Sequence, residues 1–157
     1  MVTTNKYEKM KDEKGNIVGL AMILINPENK ILIGKRREYV LDVNGKLCFP
    51  GGHLENWESK LVGTLRETEE ETGLTPDDYG LIDLEPFADI PHIGDDGNPY
   101  VTFFYRANYN SRNRPIVMEP EKHAWWNFYS WEEIKKAEDE LFRPLIELIK
   151  LNRNPIE

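Results

Sequence analysis

Four glutamates stand within five residues of this chain, at Glu67 and at positions 69–71, directly after Arg66. On a helix, which advances about 100° per residue, Glu67, Glu70 and Glu71 fall on one face. Carboxylates this close repel one another, so a positive group is expected among them. Mg²⁺ is the natural candidate because it prefers carboxylate oxygens as ligands. The cluster therefore predicts a divalent-metal site, and its plain alternative is a solvated acidic helix face.

The residues around this cluster follow a fixed spacing that an ordinary acidic run would not show. The pattern is Gly-x5-Glu-x7-Arg-Glu-U-x-Glu-Glu-x-Gly-U, with U aliphatic, and its fixed positions are Gly52, Glu58, Arg66, Glu67, Glu70, Glu71 and Gly73. At roughly 7% usage per residue type, a chance match in this chain is on the order of one in a million. This spacing is the Nudix box, and the chain resembles the Nudix hydrolases. Thr68 departs from the pattern, because the family usually has an aliphatic residue there, and we expect it at the edge of the buried stripe.

The resemblance implies an enzyme that hydrolyses a nucleoside diphosphate linked to another group, with Mg²⁺ or Mn²⁺ as cofactor. It assigns Glu67 and Glu71, together with the Gly52 carbonyl, as direct metal ligands, and Glu70 as a further ligand or the base. Arg66 is expected to orient a neighbouring carboxylate. The resemblance leaves the general base open between a box glutamate and an acidic residue of a later loop.

The similarity narrows to the MutT-like branch, whose members clean nucleotide pools. It rests on motifs that follow one another in the same order, at residues 34–37, 50–55, 100–102, 119–122, 131–133 and 141–142. By this resemblance Arg36 and His53 contact phosphates, Phe142 stacks on a base, and Phe49 and Leu145 line the pocket. Plainer interpretations stay open here: a solvated strand end around Arg36, an exposed His53, and a core position for Phe142.

The segments around the box predict the elements that position these residues. A continuous apolar run over 17–25 and a second apolar segment over 31–34 predict a hairpin of buried strands. Further strands are predicted over 81–93, 100–109 and 125–129, and the alternation in the second of these predicts that one of its faces is buried. Residues 38–46 are expected to form a long loop at the mouth of the pocket.

Helices are predicted at the box and at the end of the chain. The face of the box helix opposite its glutamates is predicted to dock on the core, and it carries Leu61, Val62, Leu65, Thr68 and Thr72. Gly73 predicts the end of this helix. Ser130 and Glu133 form a capping box that opens a second helix, and residues 141–151 show helical spacing for a third. This order predicts an α/β fold, and it agrees with the Nudix fold, a mixed β-sheet sandwiched between α-helices.

Composition limits the protein's partners and location. A length of 157 residues predicts one domain over 1–157, in which residues 1–15 form either a loose N-terminal arm or a first edge strand. The net charge of −8 argues against a nucleic-acid partner, which would require a basic face. The single Cys48 and the absence of an apolar run of membrane-spanning length predict a cytoplasmic protein without a membrane partner. A homodimer is left open.

These observations predict a Mg²⁺-dependent nucleoside triphosphate diphosphatase that converts purine deoxynucleotides, ordinary or modified like oxidised dGTP, to a nucleoside monophosphate and pyrophosphate. The enzymatic alternative is an ADP-ribose or nucleotide-sugar pyrophosphatase. Its best-known form carries a proline beyond the box, and the corresponding position near Asp89 holds none. The other alternative is a non-catalytic nucleotide-binding module. Such modules usually lose box glutamates, and all of them are present here.

Overall fold

A mixed β-sheet forms the centre of the fold. The computed structural model describes residues 9–37 and 46–157, and in these ranges eight strands form one sheet. The strands are β1 (Ile17–Ile25), β2 (Ile31–Arg36), β3 (Leu47–Cys48), β4 (Gly51–His53), β5 (Tyr79–Leu81), β6 (Ala88–Ile93), β7 (Pro99–Tyr109) and β8 (His123–Tyr129). The main order is β3-β2-β1-β7-β5, while β4 pairs with β1, β6 with β7 and β8 with β2. β1 and β7 run parallel, and the remaining pairs are antiparallel.

Helices cover both faces of this sheet. They are α1 (Lys60–Thr72), α2 (Trp131–Lys136) and α3 (Arg143–Lys150), with a 3-10 turn at Glu138–Glu140 before α3. All nine residues of β1 are buried, and residues 21–25 alternate between two cores. Ala21, Ile23 and Ile25 pack with residues of α2 and α3, whereas Met22 and Leu24 belong to the core that Leu61 of α1 also contacts. The predicted sandwich of a mixed sheet between helices is confirmed.

The box helix docks on the core with most of the predicted face, and Val62 is the exception. Val62 is 53% exposed, whereas Thr64, Thr68 and Thr72, each one turn after the last, are fully buried. Each threonine hydroxyl donates to the carbonyl four residues earlier, at 2.6–2.8 Å, so burial leaves none of the three hydroxyls unpaired. The prediction for Val62 is therefore wrong, and Thr68 lies in the middle of the buried face rather than at its edge.

Two strand predictions are also wrong in detail. The segment predicted as one strand over 81–93 is divided into β5 and β6, which pair with different parts of β7. In the break, the Asp83 side chain accepts a hydrogen bond from the backbone N–H of Glu85, a turn that ends the strand. β7 is buried on both faces rather than one, because it lies between β1 and β5 with helices on either side of the sheet.

The residues predicted to end the first helix and to begin the second do so in the structure. Gly73 ends α1 with a φ of 77°, and Ser130 and Glu133 form both hydrogen bonds of the capping box that opens α2. Residues 12–16 form a turn, so that Lys11 forms a bridge to Ile17 at the start of β1. Residues 1–8 and 38–45, which hold most of the predicted N-terminal arm and pocket loop, lie outside the described residues. Within the described ranges, no helix has the length and apolar character needed to cross a membrane.

Candidate active site

The short strand β4 brings the box helix against the sheet. The backbone N–H of Gly51 donates a 2.7 Å hydrogen bond to Oε1 of Glu71, twenty residues later in the chain. A Cβ on Gly51 would lie 2.0 Å from the carbonyl oxygen of Leu20, and a Cβ on Gly52 would lie 2.4 Å from Cδ of Glu67. No side chain fits at either position, because β1 lies against Gly51 and the carboxylate of Glu67 lies against Gly52.

Arg66 links the glutamates around the helix. Its Nε and Nη2 donate to both oxygens of Glu58, at 2.8 and 2.7 Å, in a bidentate pair. Its Nη1 donates to Glu67 at 2.9 Å and to Glu70 at 3.1 Å, and Nη2 also reaches the carbonyl of His53. The hydrogen bond from Arg66 lowers the pKa of Glu58. The guanidinium thus supplies one of the positive charges that the run of glutamates needs.

The three box glutamates occupy different environments. The Glu71 side chain is almost fully buried, and burial raises the pKa of its carboxyl to about 8. Burial also raises the pKa of Glu67, against the opposing effect of the hydrogen bond from Arg66. The Glu70 side chain is half exposed and contacts Arg66. Glu67 and Glu70 therefore converge on Arg66, whereas Glu71 turns toward the sheet.

Two residues beside Glu71 were missed from the sequence. His123 at the start of β8 is completely buried, and its Nε2 lies 3.3 Å from Oε2 of Glu71. Burial, aided by the charges of Arg36 and Lys122, lowers the pKa of His123 to about 4, so the imidazole is neutral at pH 7 and this contact is not an ion pair. Glu119, in the connection before β8, brings a further carboxylate to within 4.8 Å. Glu119 is an acidic residue of a later loop, and the family resemblance allows a residue of this kind to be the general base.

The sequence motif at residues 119–122 contains Glu119, but above it supports only the resemblance to the MutT-like branch. His123 stands next to that motif, between the strands predicted over 100–109 and 125–129. The pairing of β2 with β8 brings it to the site: Arg36 and His123 are partners across a register shift between Lys35 and Arg36. That shift is a long-range feature that composition and periodicity do not indicate.

A cavity that encloses about 570 Å³, including space open to solvent, lies beside β4. Its wall contains most of the residues that the sequence predicts for substrate binding. The described lining includes Gly52, Arg36, His53, Phe49, Phe142 and Leu145. The structure thus brings the predicted substrate residues together around one cavity, at the strand that contacts Glu67 and Glu71.

The aromatic residues of the cavity differ in their packing. Phe142 is half-buried, stands directly before α3 and is not among the residues of the main core, whereas Phe49 and Leu145 are buried in that core. The Phe49 ring packs edge-on against Phe104 with centroids 6.0 Å apart. Phe142 therefore offers a ring to the cavity without supporting the core, which favours the pocket interpretation of this residue over the core interpretation.

Polar groups line another part of the cavity, and the sequence analysis did not assign them. The His92 ring stacks on Tyr100 at 5.4 Å, and its Nε2 lies 2.9 Å from the Thr102 hydroxyl. The Tyr100 hydroxyl donates to Asp96 at 2.6 Å, and this hydrogen bond lowers the pKa of Asp96 to about 2. The cavity wall therefore combines apolar rings with hydrogen-bonding groups, as a binding site for a polar ring system would.

The residues at β4 and α1 suit a divalent cation. The carboxylates of Glu67 and Glu71 are buried with raised pKa values, and a cation would offset the cost of their negative charge. The backbone of Gly52 lies against the Glu67 carboxylate with no side chain between them. An all-oxygen set of this kind is typical of Mg²⁺ and Mn²⁺ sites.

Comparison with known proteins agrees with this geometry. A model of the NUDIX domain matches residues 15–149. The 8-oxo-dGTP diphosphatase of Escherichia coli (strain K12) is 34% identical over 64 residues, which cover 41% of this chain and 50% of that protein. The RNA pyrophosphohydrolase of Francisella tularensis subsp. mediasiatica (strain FSC147) is 33% identical over 73 residues, which cover 46% of this chain and 44% of that protein. The chain thus spans about half the length of these curated relatives.

A solved structure extends the likeness over most of the chain. The MutT protein from Methanosarcina mazei Go1 matches with a TM-score of 0.70 at 20% sequence identity, covering 88% of this chain and 96% of that one. At this level of identity the likeness concerns the fold alone. It agrees with the mixed sheet between helices described above.

Proposed function

The chain belongs to the Nudix hydrolase family, whose members act on pyrophosphate bonds of nucleotides, and we propose that it is a Mg²⁺-dependent nucleoside triphosphate diphosphatase. The proposed substrate is a purine deoxynucleoside triphosphate, either ordinary or modified like oxidised dGTP. The proposed products are the nucleoside monophosphate and pyrophosphate. Mn²⁺ is the alternative cofactor.

One observation carries this proposal: the cavity and the acidic cluster meet at the same two residues. Gly51 and Gly52 line the cavity, and they also contact the carboxylates of Glu71 and Glu67. A base held in the cavity would therefore have its phosphate chain beside the buried carboxylates. A site that binds only a base or only a metal would not need a cavity and an acidic cluster next to each other.

The residues of β4 and α1 have separate roles in the proposed reaction. Glu67, Glu71 and the Gly52 carbonyl would hold the cation, which when bound neutralises phosphate charge and activates water. Arg66 keeps Glu67 in place through the hydrogen bond at 2.9 Å. Glu70, half exposed on the same helix, is the further ligand or the base in this scheme.

The remaining proposed contacts bind the substrate. Arg36 and His53 neutralise and orient the phosphates, since a guanidinium matches phosphate oxygens with parallel donors. Phe142 stacks on the base, and Phe49 and Leu145 form apolar walls around it. All five residues line the same cavity, which supports a single binding mode for base and phosphates.

A second substrate class has a specific observation in its favour. One relative is an RNA pyrophosphohydrolase, so a 5′-triphosphorylated RNA must be compared with free nucleotides. The net charge of −8 weighs against RNA, because an RNA-binding surface would need clustered basic residues. ADP-ribose and nucleotide sugars remain the third class to compare.

A substrate panel tests the proposal. Purine and pyrimidine triphosphates, ADP-ribose and a short triphosphorylated RNA are incubated with Mg²⁺. Pyrophosphate from the triphosphates and the RNA is measured colorimetrically after conversion to orthophosphate. The two phosphomonoesters that ADP-ribose would yield are measured with the same detection after treatment with a phosphatase. Glu71→Gln serves as the control for contaminating hydrolases. We expect the highest kcat/KM for purine deoxynucleoside triphosphates. Faster hydrolysis of ADP-ribose or of the RNA, with little turnover of free triphosphates, would overturn the proposed substrate class.

A further inference from the structure

His123 is an unusual residue for a buried position. Its side chain has no exposed surface, and neither Nδ1 nor Nε2 has a hydrogen-bond partner among the described residues. Buried polar groups in native proteins nearly always have a partner, and leaving one unpaired lowers stability. A ring with two unpaired nitrogens therefore needs a further explanation.

The surroundings of this ring supply one. Nε2 of His123 lies 3.3 Å from Oε2 of Glu71, whose other oxygen is fixed by the N–H of Gly51. A carboxylate oxygen of Glu119 completes a group of three donor atoms that all lie within 4.8 Å of one another. The three donors come from α1, from the connection before β8 and from β8 itself, so the fold assembles them.

We infer that Glu71, Glu119 and His123 form a cation site with two oxygen donors and one nitrogen donor, which selects a first-row transition metal such as Mn²⁺ or Co²⁺ over Mg²⁺. Mn²⁺ binds oxygen ligands as Mg²⁺ does but also accepts an imidazole nitrogen beside them, and Co²⁺ binds nitrogen more strongly than Mn²⁺, whereas Mg²⁺ takes oxygen ligands almost exclusively. The site is a second cation position, which shares Glu71 with the all-oxygen set of Glu67, Glu71 and Gly52 proposed for Mg²⁺. It rests on the proposed function only through the shared Glu71.

Pulsed electron paramagnetic resonance of bound Mn²⁺ tests the inference directly, because it detects a nitrogen nucleus coupled to the metal. The protein is used without a polyhistidine tag, in a nitrogen-free buffer, with substoichiometric Mn²⁺ and no nucleotide. We expect a nitrogen coupling in the wild-type protein and in His53→Asn and His92→Asn. The coupling should disappear in His123→Asn. Its absence from the wild-type protein, or its loss in His53→Asn or His92→Asn with retention in His123→Asn, would overturn the site.

Competition between ions gives a second measurement. The ratio of Mn²⁺ to Mg²⁺ affinity should fall by at least about tenfold in His123→Asn, as expected when a metal site loses a supporting group. Because a change at a buried histidine can prevent folding, Glu119→Gln, at a partly exposed position, is measured in parallel. This variant should bind Mn²⁺ more weakly and keep the nitrogen coupling. Unchanged Mn²⁺ affinity in Glu119→Gln would remove Glu119 from the site.

These measurements distinguish the inference from the proposed function, since they need no substrate. A nitrogen coupling in a protein that hydrolyses no nucleotide would support the site and refute the proposed function. Nucleotide hydrolysis with Mg²⁺ in a protein whose bound Mn²⁺ shows no nitrogen coupling would support the proposed function and refute the site.

Discussion

The backbone N–H of Gly51 and the carboxylate of Glu71 are joined by a 2.7 Å hydrogen bond, and this contact connects the substrate cavity with the acidic helix. Gly51 lies in β4, which lines the cavity, and Glu71 lies near the end of α1. The distance between a bound base and the proposed metal ligands is therefore set by the packing of one strand on one helix.

Replacing Glu71 tests the role of this carboxylate. Glu71→Gln keeps an oxygen that can accept the hydrogen bond from Gly51 but removes the negative charge. We expect folding to be retained and kcat to fall on the order of 10³, because charge stabilisation by a metal contributes several kcal/mol to catalysis. Steady-state kinetics at saturating Mg²⁺ and circular dichroism check both expectations. Turnover near the wild-type value would show that the box is not the active site.

Phe142 provides the test of base stacking. The ring lines the cavity and lies outside the main core, so Phe142→Ala should raise KM for nucleoside triphosphates roughly tenfold, as a lost stacking contact would. Its effect on the free energy of unfolding should be small.

Leu148→Ala, at a fully buried position of α3, the helix that follows Phe142, is the matched control and should cost about 2–5 kcal/mol of stability. Chemical denaturation and kinetics on the two variants separate the roles. If Phe142→Ala were as destabilising as Leu148→Ala and left KM unchanged, the stacking role would be refuted.

We expect Arg66 to stabilise the acidic cluster through the planar geometry of its guanidinium group as well as through its charge. Arg66→Lys keeps the charge but cannot form the bidentate pair with Glu58 while also reaching Glu67. We expect a loss of about 1–3 kcal/mol in the free energy of unfolding, as for partly satisfied buried charges, together with lower kcat. Lys135→Ala, which breaks an exposed pair with Glu132, should change stability by less than about 0.5 kcal/mol. Equal effects of the two changes would contradict a special role for Arg66.

The sequence predicts what depends on short-range chemistry. The box occupies one continuous stretch from Gly52 to Leu74, and the Gly73 end of α1 and the Ser130 capping box each depend on a few neighbouring residues. The buried face of α1 could not be predicted from hydrophobicity, because Thr64, Thr68 and Thr72 satisfy their hydroxyls on the helix itself. Glu119 and His123 reach Glu71 only through the pairing of distant strands.

Metal-free protein should show a pH-dependent stability that originates at Glu71. In the folded chain Glu71 keeps its proton up to about pH 8, whereas an unfolded glutamate loses it near its ordinary value of 4.5. The folded state therefore binds more protons than the unfolded state between pH 7 and 8, and stability falls as pH rises through this range. The slope is at most about 1.4 kcal/mol per pH unit.

Urea unfolding in EDTA at pH 7 and pH 8 measures this slope. His123 contributes little in this interval, because burial lowers its pKa in the folded state and an unfolded histidine is largely neutral above its ordinary value of 6.5. Glu71→Gln is the control and should show a flatter dependence. Identical slopes for the two proteins would contradict the raised pKa of Glu71.

The position of bond cleavage tests the central claim most directly. A purine deoxynucleoside triphosphate is hydrolysed in ¹⁸O-labelled water with Mg²⁺, and the products are analysed by mass spectrometry, with Glu71→Gln as the control for contaminating activity. The account predicts a nucleoside monophosphate and pyrophosphate as the primary products, one of which carries a single ¹⁸O atom. Labelled orthophosphate together with a nucleoside diphosphate would contradict it.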